Sequence, residues 1–248
     1  RTMKPSLNLL LPLLFFSNPT AAAASDRKIS WWFDVSTSID AANIDVISKH
    51  ASLFSRAQVF NSNLKLDGNL TEWWGDSENI AKWNDPLQAL KVPVLPYVVD
   101  IDNSTMMHAV MKNATLFIAD AVAIAKHFGF HGWFIDYEDE YPPDTSDGKS
   151  QALADFLTLF ADALHAEGLE LTICVASWSD LLGDSVTLAS SSVDELQTMS
   201  TYSMNETSAY EPYLDDYFSK VKAGSPSSDL NKAGVGIGIY YDGVSYVR

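Results

Sequence analysis

Residues 129–140 read GFHGWFIDYEDE, a short apolar run that ends in acidic residues. This composition predicts a β-strand followed by a polar loop, and Gly129 is expected to end the preceding helix. Because strand side chains alternate between two faces, Phe134, Asp136 and Glu138 share one face of the strand. Two carboxylates held this close cannot both ionise freely, so we expect one of them to keep its proton at a raised pKa.

Short apolar runs of this kind alternate with amphipathic stretches along the chain. The alternation predicts parallel strands joined by helical crossovers. A doubly wound sheet also fits, but it usually carries a glycine-rich loop after its first strand, and residues 29–38 contain no glycine. We therefore predict an α/β fold of the (β/α)8 TIM-barrel type. The predicted strands are 29–35, 57–61, 92–99, 132–138, 169–176, 196–202 and 234–241, and the predicted helices are 41–53, 79–90, 105–128, 151–167, 212–223 and, with the weakest pattern, 181–192.

The first 24 residues do not follow this pattern. They resemble a signal peptide, because basic residues precede an apolar run at 9–16 and a region of small residues at 18–24. The apolar run is far shorter than the ~20 residues needed to span a bilayer, so we expect a secreted protein. We expect the catalytic barrel to occupy residues 25–248 and to be truncated before its eighth strand, since the chain stops just after the seventh.

The composition excludes several kinds of partner. The chain has 248 residues, a hydrophobic share of 47% and a formal net charge of −16, which suits a folded core with an acidic surface. Such a surface repels nucleic acid and anionic lipid but not a neutral sugar. The five histidines are scattered and Cys174 is the single cysteine, so we expect no metal, cofactor or disulfide. Four Asn-x-Ser/Thr sequons predict N-glycosylation at Asn69, Asn103, Asn113 and Asn205.

The acidic strand end resembles glycoside hydrolase family 18, the chitinases and endo-β-N-acetylglucosaminidases. The fourth strand of that family ends in Asp-Gly-x-Asp-x-Asp-x-Glu, and this chain reads HGWFIDYE from His131 onwards. Gly132, Asp136 and Glu138 match the motif, whereas His131 and Phe134 replace its first two aspartates. In a barrel these carboxylates would lie at the C-terminal end of the strand, where enzymes of this fold keep their active sites.

A second family shares part of this pattern. The stretch also resembles glycoside hydrolase family 85, whose strand reads Gly-Trp-Leu-x-Asn-x-Glu, with Asn at the position of Asp136. Residues 196–203 resemble the sixth strand of family 18, which typically ends in Met-x-Tyr-Asp. Here one extra residue separates Met199 from Tyr202, and Ser203 replaces the aspartate.

The resemblance implies a substrate-assisted, retaining mechanism on β-1,4-linked N-acetylglucosamine. Glu138 would protonate the leaving oxygen, and the 2-acetamido carbonyl of the substrate would attack the anomeric carbon to form an oxazolinium ion. Asp136 would orient the acetamido group, and Tyr202 would bind its oxygen. Sugar rings stack on aromatic rings, and the aromatic candidates for this role, with packing as the alternative for each, are Tyr97, Trp178 and Tyr240.

Two other functions stay open on the sequence. A chitinase-like carbohydrate-binding protein of the same fold is favoured by Phe134 and Ser203, where acids are lost, and disfavoured by the presence of Glu138. A different barrel glycosidase would pair Glu138 with a second carboxylate and would not need a 2-acetamido group. The candidates for that second carboxylate are Asp34, Asp100 and Asp242.

Overall fold

Seven parallel strands form the framework of the protein. The computed structural model describes residues 29–34, 41–63, 77–99, 109–136, 150–177, 182, 184–200 and 207–236. The strands are β1 (Ser30–Asp34), β2 (Arg56–Asn63), β3 (Val94–Val99), β4 (Gly132–Asp136), β5 (Glu170–Val175), β6 (Glu195–Thr198) and β7 (Ala233–Val235). Each strand pairs with the next one along the chain, and every pair is parallel. A strand is present at each of the seven predicted places, and residues 137–138 and 237–241 of the predicted fourth and seventh strands lie outside the described residues.

Helices connect the successive strands. They are α1 (Ala41–His50), which continues into a 3-10 turn (Ala51–Leu53), α2 (Ser77–Ala89), α3 (Ala114–Phe128), α4 (Gln151–His165), α5 (Ser185–Ser190) and α6 (Thr207–Gly224). Each described helix is too short or too polar to cross a membrane. The alternation of strand and helix that the sequence predicts is therefore present throughout the described residues.

The sheet is curled, because side chains of β2 and β6 meet although these strands are not neighbours. Arg56 forms an ion pair with Glu195, and the Gln58 Nε2 donates to the Gln197 Oε1 at 3.0 Å. A doubly wound sheet reverses its strand order part-way and carries helices on both faces, which is incompatible with these contacts. The described strands form an open barrel, in which β1 and β7 do not pair with each other.

Each face of β4 has a distinct environment. The Trp133 Nε1 donates to the Ala121 carbonyl of α3 at 3.0 Å, which makes this face the outer one. On the opposite face, the Phe134 ring meets the Trp32 ring of β1 edge to face, with centroids 5.4 Å apart. All five residues of β4 are buried, as expected for a strand covered on both faces. Phe134 and Asp136 therefore share the inner face, as predicted.

The third predicted helix is divided into two helical segments, residues 109–112 and α3. The helix predicted over 105–128 is interrupted at Asn113, and α3 begins at the next residue. The Asn113 Nδ2 donates to the Ala109 carbonyl at 3.1 Å, in addition to the regular helical bond that the Asn113 backbone N–H donates to the same carbonyl at 3.0 Å. The other end of α3 is as predicted, because Gly129 adopts a left-handed conformation with φ of 70°.

The sixth strand also ends earlier than predicted. The strand predicted over 196–202 stops at Thr198. The Ser200 N–H turns back to the Thr198 Oγ1 at 3.3 Å, and the Ser200 side chain reaches Ser177 beyond the end of β5. These side-chain bonds replace the ladder bonds that would have continued β6.

Candidate active site

The C-terminal end of β4 carries the first of the two predicted catalytic carboxylates. Asp136 is the last residue of β4, and its side chain is 5% exposed. It pairs in register with Val99, the last residue of β3, so it lies at the rim where the strands end. Enzymes of this fold place their catalytic groups at this rim. Glu138 lies outside the described residues, and its role as the acid stays a prediction.

Gly132, which matches the family motif, is required by the close approach of two strands. A Cβ atom added to it would lie 1.9 Å from the carbonyl oxygen of Glu170 on β5. Any side chain there would force β4 and β5 apart at the start of their pairing. Gly132 therefore sets the strand spacing that supports Asp136 four residues later.

An aromatic layer lies next to Asp136 along β4. The Phe134 side chain is fully buried, and the Trp32 ring packs against it at an interplanar angle of 85°. The position that family 18 fills with an acid is therefore apolar in this protein. The inward orientation of Trp32 was not predictable, because alternation along a strand puts two adjacent tryptophans on opposite faces without saying which of them faces inward.

Two serines tie the ends of β5 and β6 together. The Ser200 Oγ donates to the Ser177 Oγ at 2.9 Å and accepts from the Ser177 backbone N–H at 2.8 Å. The predicted site residues Trp178 and Tyr202 follow these serines in the chain by one and two positions. The structure thus holds Ser177 next to Ser200, and the chain segments with Trp178 and Tyr202 follow these two serines. Trp178 and Tyr202 themselves lie outside the described residues.

The other predicted site residues are only partly described. Tyr97 on β3 pairs in register with Phe134, two residues before the strand end where Val99 pairs with Asp136. Asp34, one of the alternative carboxylates, is the last residue of β1. Three further candidates lie outside the described residues, and these are Asp100, Tyr240 and Asp242.

A charged cluster, which the sequence analysis missed, fills the N-terminal end of the barrel. Arg56 is 1% exposed, pairs with Glu195 and lies 3.3 Å from the Glu170 carboxylate. Its Nε also donates to the Ser30 Oγ at 2.8 Å. The sequence position of these residues could have revealed the cluster. Arg56, Ser30, Glu170 and Glu195 each begin a strand, and the N-terminal ends of barrel strands lie at the same end of the barrel. His131 lies at this end too, where its Nδ1 accepts from a β3 backbone N–H at 3.4 Å.

Two residues that pack between elements of the barrel, Tyr217 and Lys232, have shifted pKa values. Burial raises the pKa of Tyr217 well above its ordinary value, and the hydroxyl donates to the Leu196 carbonyl at 2.6 Å. Burial lowers the pKa of Lys232, whose ammonium group donates to the Ser191 carbonyl at 2.5 Å. These groups fasten α6 and the turn before β7 to the rest of the barrel, away from Asp136.

A family model matches the segment that contains Asp136 and Glu138. Residues 80–192 match the model of glycosyl hydrolase family 85. This is one of the two families that the strand end resembles, and family 18 is not confirmed. No curated protein sequence matches the chain.

The fold is shared with solved structures of glycosidases. The chain is 22% identical to a chitinase from Chromobacterium violaceum ATCC 12472, with a TM-score of 0.64 over 85% of this chain and 68% of that one. The spore cortex-lytic enzyme SleL of Bacillus cereus gives a TM-score of 0.67 at 16% identity, over 84% and 49% of the two chains. Catalytic domain 2 of the Ostrinia furnacalis Group II chitinase, solved as a variant with a bound chitooligosaccharide, gives 0.63 at 18%, over 84% and 63%. The chain therefore spans about half to two thirds of these structures and has a chitinase-like TIM-barrel fold.

Proposed function

We propose that this protein is a glycosidase that hydrolyses β-1,4-linked N-acetylglucosamine, with Glu138 as its acid and base. The observation that carries the proposal is Asp136, buried on the inner rim of a chitinase-like barrel two residues before Glu138. The family 85 match includes both residues. A neutral glycan is also the class of polymer that a chain with a net charge of −16 does not repel.

The chemistry needs one proton donor from the protein and one nucleophile from the substrate. Glu138 gives its proton to the glycosidic oxygen while the 2-acetamido carbonyl oxygen attacks the anomeric carbon. The bond to the leaving sugar breaks and an oxazolinium ion forms. The Glu138 carboxylate then takes a proton from the water that opens this ring. The anomeric carbon is inverted twice, so its configuration is retained.

In this proposal Asp136 holds the acetamido group in its attacking orientation. Its carboxylate accepts a hydrogen bond from the amide N–H of the substrate and offsets the positive charge that develops on the ring. Asp136 is 5% exposed, and an electrostatic interaction in such a buried position is stronger than in water. Family 85, which has Asn at this position, also needs the acetamido group of its substrate to be oriented for attack.

A pair of matched substrates tests the proposed reaction. The two substrates are nitrophenyl chitobioside and nitrophenyl cellobioside, which has hydroxyl groups in place of the acetamido groups. We expect release of nitrophenol from the chitobioside and none from the cellobioside. A thiazoline analogue should inhibit, because it mimics the cyclised intermediate. Efficient hydrolysis of the cellobioside would instead support a barrel glycosidase that uses a second carboxylate such as Asp34.

One observation favours a second candidate function, a carbohydrate-binding protein without turnover. The family 18 motif has an acid where the buried Phe134 packs against Trp32, and this replacement removes a group that assists catalysis in that family. Titration calorimetry with chitooligosaccharide separates the two functions. Binding in the absence of any cleavage of the same oligosaccharide would support the second one.

The proposal includes passage through the secretory pathway. It is supported by the signal-peptide pattern in residues 1–24 and by the four sequons. The measurement is the N-terminal sequence of protein recovered from the medium of a eukaryotic expression culture. We expect it to begin near residue 25, and retention of residues 1–24 would contradict this part of the proposal.

A further inference from the structure

A row of hydrogen-bonded hydroxyl groups runs from α6 along the C-terminal ends of β6 and β5. It begins at the Tyr213 hydroxyl, which is bonded to the Oγ1 of Thr198, the last residue of β6. The same Oγ1 accepts a hydrogen bond from the Ser200 backbone N–H at 3.3 Å, and the Ser200 Oγ donates to the Ser177 Oγ at 2.9 Å. Thr198 and Ser200 are fully buried, so water does not compete for these bonds. Hydroxyl groups linked in this way polarise and strengthen one another.

The bond between Tyr213 and Thr198 closes a loop in the chain. The two residues are 15 positions apart, and the segment between them contains Tyr202. This segment leaves the sheet at Ser200, and residues 201–206 lead from there to the start of α6. The Tyr213 hydroxyl therefore fixes the end of β6 to the helix that the segment enters.

The ring of Tyr213 and its hydroxyl have separate contacts. The ring stacks on the Tyr217 ring one turn along α6, with centroids 6.4 Å apart and an interplanar angle of 6°. The Tyr217 hydroxyl bonds within the sheet, since it donates to the Leu196 carbonyl at 2.6 Å and lies 3.1 Å from the Gly234 carbonyl. The Tyr213 hydroxyl instead reaches the end of β6, at the rim where barrel enzymes keep their active sites.

We infer that Tyr213 is a positioning residue for the proposed reaction, and this inference rests on the proposed function. Through Thr198 and Ser200, its hydroxyl fixes the point from which the chain leads to Tyr202, the predicted partner of the acetamido oxygen. That oxygen is the nucleophile, so a shift of Tyr202 changes the angle at which it attacks the anomeric carbon. Misplacement of a reacting group by about 1 Å can cost roughly a hundredfold in rate.

The test removes one hydroxyl from α6 at a time in the full-length protein. Tyr213→Phe keeps the stacked ring and loses the bond to Thr198, and we expect kcat/KM for nitrophenyl chitobioside to fall about tenfold. Tyr217→Phe is the matched control, because it removes a hydroxyl of the same helix that is bonded within the sheet. It should lower the midpoint of urea unfolding and leave kcat/KM unchanged. Equal kcat/KM in the two variants would overturn the inference.

A double-mutant cycle shows whether Tyr213 acts through Tyr202. In a Tyr202→Phe background, Tyr213→Phe should cause no further loss of kcat/KM, because the hydroxyl that it positions is already absent. Thr198→Val should repeat the loss, whereas Thr198→Ser, which keeps the oxygen, should retain normal kinetics. Normal kcat/KM in Tyr202→Phe, or losses that multiply in the double variant, would overturn the inference.

Hydrogen exchange separates this inference from the proposed function. Amide exchange in a peptide that spans residues 200–207 should be faster in Tyr213→Phe than in the parent protein, and it should be unchanged in Tyr217→Phe. Unchanged exchange in Tyr213→Phe, with a parent protein that cleaves the chitobioside, would overturn the inference alone. A parent protein that cleaves no chitobioside would overturn the proposed function, and the role of Tyr213 in that reaction with it.

Discussion

At the N-terminal end of the barrel the Arg56 guanidinium lies against Glu195 and Glu170, whereas at the C-terminal end Asp136 closes β4 on the same face as Phe134. At the N-terminal end the buried Arg56 is paired with carboxylates of β5 and β6, and these ion pairs hold the strands together. The C-terminal end places the Asp136 carboxylate, which is 5% exposed, at the rim of the barrel two residues after the buried Phe134. Under the proposed function, one end of the interior stabilises the fold and the other carries the reaction.

The largest effect is expected from a substitution at the C-terminal end of the barrel, and it should change turnover without changing stability. Glu138→Gln keeps the size of the side chain but removes the proton, so we expect turnover to fall by about two to four orders of magnitude. The measurement is kcat on the chitobioside, with circular dichroism and urea unfolding to show that the fold is unchanged. Glu140→Gln is the control, because the sequence places Glu140 in the loop beyond the strand. Near-normal turnover in Glu138→Gln would mean that the acid lies elsewhere.

The next effect is expected at the N-terminal end and on stability. Arg56→Met leaves two partly buried carboxylates facing each other, so we expect a loss of about 3 kcal/mol in unfolding free energy, the lower end for a broken buried pair because both carboxylates keep some exposure. Lys126→Met is the matched control. It removes an exposed ion pair to Glu167, at 2.6 Å, and should cost less than about 1 kcal/mol. Equal costs in the two variants, measured by urea unfolding, would show that the cluster does not stabilise the barrel.

The amide pair in the barrel interior should show the asymmetry of buried hydrogen bonds. Gln197→Met removes the acceptor of the Gln58 Nε2 and leaves that donor buried, at a cost of about 1–3 kcal/mol. Replacing both glutamines by methionine removes donor and acceptor together, and we expect the double variant to be more stable than Gln197→Met alone. Additive losses in a double-mutant cycle would show that the pair is not coupled.

The smallest effect is expected where the two ends of β5 and β6 are tied. Ser177→Ala removes the acceptor of the Ser200 hydroxyl, so we expect about 1 kcal/mol of destabilisation. If the tie also positions the segments that carry Trp178 and Tyr202, KM for the chitobioside will rise. Ser48→Ala, which removes an exposed local bond in α1, should leave both stability and KM unchanged.

The fold was predictable because it depends on local patterns. Apolar runs of the right length alternate with amphipathic stretches, and Gly129 ends α3 as a left-handed glycine should. The limits of some elements were not predictable, because they depend on side-chain bonds. The Ser200 N–H, for example, turns back to the Thr198 Oγ1 where β6 ends. A sequence pattern does not show which partner such a group will choose.

The candidate site was predictable along one strand and not across the barrel. Alternation placed Asp136 and Phe134 on one face because both belong to β4. The contact of Phe134 with Trp32 joins β4 to β1, and the Arg56 cluster joins four strands, so each depends on how the sheet curls. Curvature follows from the summed twist of all the strands and has no local signature.

The contacts between β2 and β6 also set the order of events when the chain folds. Every strand pairing joins neighbours in the chain, whereas Arg56 and Gln58 meet their β6 partners across 139 positions. Closing so long a loop costs chain entropy before any contact is gained, so we expect successive strand–helix units to assemble first and the sheet to curl shut late. Interactions formed after the transition state act on the unfolding rate. Weakening this layer would therefore shorten the lifetime of the folded protein while leaving the speed of folding nearly unchanged.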